Sequence, residues 1–84
     1  MSSYEEALEA TTQILLKHVE VGRTIQPSDH IQNDLGLDSL GVMEVVADIE
    51  DRFEVQIPQE MLSTISTVDD VVKALAQLEA KKKS

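Results

Sequence analysis

Leu35-Gly36-Leu37-Asp38-Ser39-Leu40 divides the 84-residue chain into an irregular stretch before it and a strongly periodic one after it. Asp38 is a preferred N-cap residue standing directly before apolar residues spaced by three and four, so a helix is expected to open at Ser39. At a helix start the first backbone N–H groups lack intrahelical acceptors and the macrodipole presents its positive end, which favours an anion. A phosphate esterified to the Ser39 hydroxyl is well placed there. The plainer reading is a simple cap, with Asp38 accepting an N–H bond and Ser39 an indifferent first-turn residue. The sequence on either side weighs between the two.

The helix expected from about Ser39 to Phe53 has two faces. Leu40, Met43, Val46, Ile49 (or Glu50) and Phe53 make the apolar one, widened by Val42 and Val45, while Glu44, Asp48 and Asp51 continue an outward acidic strip that begins at Asp38. Acids three or four residues apart repel one another and weaken an isolated helix by roughly 0.2–0.5 kcal/mol per pair, a repulsion that a partner's Arg or Lys relieves. An ordinary solvated face accounts for the strip equally well. Gly41 costs up to ~1 kcal/mol relative to alanine in a helix and leaves the backbone beside Ser39 bare for a close approach.

Working outward, Ser3 with Glu6, or Ser2 with Glu5, has capping-box spacing for a first helix from about Tyr4 to Val19. Its buried stripe is Leu8, Ile14, Leu15 and Val19, with Ala7 and Thr11 between; Lys17 and His18 suit its C-terminal end. From Glu20 to Asp38 the breakers Gly22, Pro27 and Gly36 leave no sustained period, and Val21, Ile25, Ile31, Leu35 and Leu37 are the expected anchors of a long loop. Ser28 and Asp29 after Pro27 suit the start of a short helical turn. Beyond Phe53, Glu54 to Ile57 is extended in character before Pro58, which suits the first turn of a short helix from Gln59 to about Leu62. Met61, Leu62 and Ile65 are placed to close one side of a cavity over the second helix. Thr67 and Asp70 cap a last helix whose stripe is Val68, Val71, Val72, Leu75 and Leu78, and Lys81-Lys82-Lys83 reads as a frayed basic tail. The expected fold is an all-α four-helix bundle: three major helices, one short helix and a long first loop. One domain spans 1–84, with flexible ends at about 1–3 and 80–84.

The aromatic residues are Tyr4 and Phe53 alone, so the core must be aliphatic, and without cysteine there is neither a disulfide framework nor a thiolate metal site. No run approaches membrane-spanning length and the N-terminus lacks the regions of a signal peptide, from which a cytoplasmic protein is expected. The net charge is −9, and between Asp29 and Glu60 nine acids face Arg52 alone. Such a surface disfavours nucleic acid and anionic membranes and steers the chain toward basic patches on partners. The aspartates around Asp29 to Asp38 lack the ligand alternation of an EF-hand, and neither His18 nor His30 has a companion at metal spacing, so no metal is expected. No Gly-x-Ser-x-Gly elbow surrounds Ser39 and nothing in the sequence arranges a histidine as its base, which disfavours a serine hydrolase.

From about Ser3 to Ala80 the pattern resembles the acyl carrier protein family, on Leu35-Gly36-Leu37-Asp38-Ser39-Leu40, the acidic helix that follows, and Phe53-Glu54-Val55-Gln56-Ile57-Pro58 at family spacing. The resemblance implies a non-catalytic carrier in which a phosphopantetheinyl transferase, using coenzyme A and Mg²⁺, attaches 4′-phosphopantetheine to Ser39. Acyl groups then travel as thioesters between acyl-transferring and condensing enzymes with basic docking patches. It maps partner docking onto Asp38, Leu40, Gly41, Glu44, Ala47, Asp48 and Asp51, and makes Met43, Val46, Leu62 and Ile65 candidate lining for an acyl pocket. A monomer is expected. Leu37 stands where fatty-acid carriers usually have alanine, and Gly41 replaces an acid that follows their Asp-Ser-Leu. That points to polyketide or other secondary metabolism, with fatty-acid or aminoacyl/peptidyl carriage as alternatives. The competing class is an acidic helical interaction module with no prosthetic group.

Overall fold

The computed structural model describes residues 3–83, with side chains over 4–81. The described residues form four helices, α1 (Ser3–His18), α2 (Ser39–Phe53), α3 (Gln59–Leu62) and α4 (Val68–Lys83), and no strand. The all-α bundle and its element order match the sequence expectation. The capping boxes expected at Ser2 and Ser3 rest on side chains outside the described set. At the other end the tail expected to fray at Lys81 stays helical through Lys83.

α1 packs against both α4 and α2. Ala7, Ala10, Thr11, Ile14 and Leu15 of α1 bury against Val68, Val71, Val72, Ala74 and Leu75 of α4 and Val45 and Ile49 of α2. Each large aliphatic side chain buried in this way contributes on the order of 1.5–3 kcal/mol. On α2 the expected stripe is displaced. Its buried residues are Val45 and Ile49, whereas Leu40 and Met43 are 67% and 69% exposed. Val45 and Ile49 share one face four residues apart, and Leu40 and Met43 lie off that face.

The long connection between α1 and α2 is tied down at both levels, side chain and backbone. Ile25, Ile31, Leu35 and Leu37 are buried, so four of its five expected anchors enter the core, and Val21 is half-buried. Buried Asp29 accepts a two-pronged bond from Arg23, Nη1 at 2.8 Å and Nη2 at 3.0 Å, and a third from the Gln26 amide at 2.7 Å. The Arg23 guanidinium, then the Gln26 amide, hold the Asp29 carboxyl below the usual carboxylate range. The Asp29 and Pro27 carbonyls accept from the Val68 and Asp69 amides, and the Ile31 amide donates to Ser66 O at 2.9 Å. The loop and the start of α4 are therefore stitched along one seam. The short helical turn expected after Pro27 comes slightly later: a turn closes by Asp29 N to Gln26 O, and bonds of helical spacing follow from Asp34 N to His30 O and from Gly36 N to Gln32 O.

α4 opens with a reciprocal box: Thr67 Oγ1 accepts from the Asp70 amide, and Asp70 Oδ2 accepts from the Thr67 and Ser66 amides. Those backbone donors depress the Asp70 carboxyl. α2 ends on Glu54 in the left-handed region, φ 54°, with its amide bonded to Glu50 O. Glu50 also accepts the Ile57 amide at 2.8 Å, turning the chain toward α3. Pro58 stands just outside α3 as its N-cap rather than inside its first turn.

Candidate functional site

Ser39 is the first helical residue of α2 and is exposed. Asp38 precedes it in extended conformation and caps the helix, its Oδ1 accepting the Gly41 amide at 2.7 Å while its carbonyl accepts the Val42 amide at 2.9 Å. The cap leaves the Ser39 and Leu40 amides as the orphan donors that point out of the helix start. The turn before it is held by Gly36 at φ 77°, a left-handed conformation that glycine adopts without strain. Leu37, buried behind it, pins the corner to the core.

Two depressions are lined by residues of the first turns of α2, and Ser39 itself lines neither. One is an apolar cleft of about 220 Å³ between α2, α3 and the loop, and all four acyl-pocket candidates line it: Met43, Val46, Leu62 and Ile65. Ile31, Ile49, Ile57 and Val71 form its floor and walls. Met43, four residues after Ser39 and so on the same side of the helix, stands at its mouth. The other is an open polar groove of about 380 Å³ lined by His18, Gly36, Leu37, Asp38, Leu40, Gly41 and Glu44.

The expected docking residues are spread along the outer side of α2. Asp38, Leu40, Glu44, Ala47 and Asp51 are exposed. Asp48 departs from the simple strip: its Oδ2 lies 2.7 Å from His18 Nε2, bridging α2 to the end of α1 with the Asp48 side chain 47% exposed. Gly41 also departs from expectation. Its α-carbon is not bare, because the Leu37 side chain and the Asp38 carboxylate close over the place where a β-carbon would stand. What sequence reasoning missed in this region is the contacts of His18 and Leu37, not the residues themselves. His18 gave no signal, since its partner is 30 positions away; Leu37 was visible as an anchor but not as a neighbour of Gly41.

Chemically, the site offers an exposed hydroxyl at a helix start, an apolar recess on one side and acids on the other. His30 Nδ1 accepts the Asn33 amide, and among the described residues no three His, Cys, Asp or Glu side chains converge on a metal-sized space. No helix among them is long and apolar enough to cross a membrane.

A family model described as the phosphopantetheine attachment site matches residues 10–75. The chain is similar to an acyl carrier protein of Prochlorococcus marinus (strain MIT 9515), 38% identical over 81 residues that cover 95% of this chain and 98% of that one. It is also similar to an acyl carrier protein of Streptomyces coelicolor, 43% identical over 53 residues, 63% of this chain and 58% of that protein. The second match thus spans less than two thirds of its relative's length.

Proposed function

The chain belongs to the acyl carrier protein family, non-catalytic proteins modified by a phosphopantetheinyl transferase, and from that premise we propose that Ser39 is the residue that carries the 4′-phosphopantetheine arm. The observation that carries the proposal is the placement of Ser39: exposed, first in α2, and beside the apolar cleft rather than inside it. The arm supplies a thiol, and the chain itself contains none. Asp38 holds the hydroxyl outward by capping the helix, and the orphan amides at the start of α2 offset the charge of the phosphodiester. Met43, Val46, Leu62 and Ile65 shield the apolar part of an acyl cargo from water. The cleft is smaller than the roughly 300–1,000 Å³ of drug-sized ligand sites, so a short acyl segment fits it better than a long one.

Leu40, with Glu44, Ala47 and Asp51, forms the face presented to acyl-transferring and condensing enzymes; Asp48 contributes through its pair with His18. Position 41 brings no charge to that face. This supports service in polyketide or other secondary metabolism over fatty-acid synthesis or aminoacyl carriage. The protein acts as a monomer.

Intact mass before and after incubation with coenzyme A, Mg²⁺ and a broad-specificity phosphopantetheinyl transferase tests the reading. A gain of one phosphopantetheine is expected, and Ser39→Ala should abolish it while leaving stability nearly unchanged. A folded, unmodified sample that gains nothing would instead favour the acidic interaction module.

A further inference from the structure

His18 ends α1 and reaches across to the middle of α2, where its Nε2 lies 2.7 Å from Asp48 Oδ2. An ionised carboxylate only accepts, so Nε2 carries the proton of this bond whether the ring is neutral or charged. The contact therefore stands in both states. What a second proton changes is charge: it goes onto Nδ1 and offsets the negative charge of Asp48. Histidine is the side chain whose charge changes between about pH 5 and 8. The bond lies at the surface, with the His18 side chain 21% and the Asp48 side chain 47% exposed, and His18 lines the open polar groove together with Asp38, Leu40 and Glu44 of the docking face. The charged groups about the ring are Asp48, with Glu44 a turn before it and Asp51 and Arg52 a turn after it on α2, Asp38 across the groove, and Lys17 and Glu20 beside it in the chain. Acids outnumber cations in this set.

We infer that His18 is a pH-dependent charge built into the docking face. Neutral, it holds Asp48 in place and leaves the acids of α2 to attract a partner. Protonated, it is a cation fixed among the same acids, and a basic partner meets a weaker field. Binding of such a partner is then weaker near pH 6 than near pH 7.5, with the bond between α1 and α2 kept in both states. The switch rests on the proposed use of this face for docking, but not on where the arm is attached.

Two variants of the full chain separate the charge from the bond. His18→Gln keeps an N–H donor for Asp48 and cannot gain a proton, whereas His18→Lys keeps a donor and is charged at both pH values. The first readout is phosphopantetheine transfer from coenzyme A by a broad-specificity transferase near pH 6 and near pH 7.5, well below every thermal midpoint. Each variant is compared with the parent at the same pH, so the transferase's own titration cancels. The KM of the parent relative to His18→Gln should rise about threefold on going to the lower pH, the size expected for one exposed charge, with the ratio of kcat values unchanged. His18→Lys should show the raised KM at both. The second readout needs no arm: binding of tri-arginine, followed by the amide shifts of Glu44 and Asp48, should weaken by a similar factor in the parent and not in His18→Gln. Equal pH dependence in the parent and His18→Gln assigns it to His30 or the carboxylates and overturns the switch, as does a His18→Lys KM equal to that of the parent near pH 7.5. An effect on kcat in place of KM overturns docking as its route. If the parent accepts no arm, the attachment reading falls, and tri-arginine still decides the switch.

Discussion

Thr11 puts a hydroxyl in the middle of α1 at 0% exposure, and its Oγ1 has no hydrogen-bond partner among the described residues. A buried polar atom without a partner forfeits its hydration and gains nothing in return. Thr11→Val keeps the β-branched shape and replaces the hydroxyl by a methyl group. It should stabilise the protein by about 1 kcal/mol, seen as a higher denaturant midpoint at unchanged slope. A lower midpoint would mean that the hydroxyl has a partner in solution. In the sequence Thr11 looked like an ordinary member of the α1 stripe, since an unmet hydrogen bond leaves no trace in residue spacing. Glu54 is a similar case: its left-handed φ is visible only once the chain turns toward α3.

At the scale of elements, what could be read from the sequence was what is local. α2 begins and ends where Asp38 and Phe53 placed it, and α3 spans Gln59–Leu62 because Pro58 and the extended stretch before it leave no other start. The cleft lining was legible for the same reason: Met43 and Val46 lie a turn apart on α2, while Leu62 ends α3 and Ile65 comes three residues later. What escaped was pairing across the fold. Asp48, bound to His18, had counted in the sequence only as part of the acidic strip of α2, and Asp29, bound to Arg23 and stitched to Val68, only as one of the acids between Asp29 and Glu60. The seam between loop and α4 carries its own pH dependence. Asp29 is depressed by Arg23 and the Gln26 amide, Asp70 by the Thr67 and Ser66 amides. A carboxyl with a lowered folded-state pKa contributes stability that is complete above its unfolded value, about pH 4, and is lost as pH falls through the folded value. Thermal midpoints should therefore drop on acidification below about pH 4, and the drop should be shallower in Asp29→Asn and Asp70→Asn, whose midpoints start lower. An equally steep drop in both variants would assign acid sensitivity to other carboxylates.

For the molecule as a whole, a net charge of −9 on 84 residues is carried mainly between Asp29 and Glu60, and the close ion pairs Arg23–Asp29 and Lys73–Asp69 offset little of it. Self-repulsion between exposed acids is screened once the Debye length shrinks from about 30 Å at 0.01 M salt to below 10 Å. Raising NaCl from low millimolar to 0.3 M should raise the thermal midpoint by roughly 4–8 °C, the shift that about 1 kcal/mol produces in a domain of this size. The same screening should slow association with any basic partner, so stability and recognition are expected to respond to salt in opposite directions. A midpoint that falls with salt would show that attractive pairs outweigh repulsion in the folded state.

The walls of the cleft are not equally fastened. Ile31 is sewn to Ser66, and α2 and α4 are braced through the shared core, but α3 fully buries none of its four residues and reaches the core through half-buried Met61 and Leu62. Leu62 faces the cavity from that least-anchored wall. On the proposed reading, a cargo that outgrows the cleft meets its least buried wall at α3, so α3 is the element expected to yield before the capped start of α2 at Ser39. On that reading, what the proposed carrier can hold is decided at α3, and where a partner would find Ser39 is decided at the other end of the cleft.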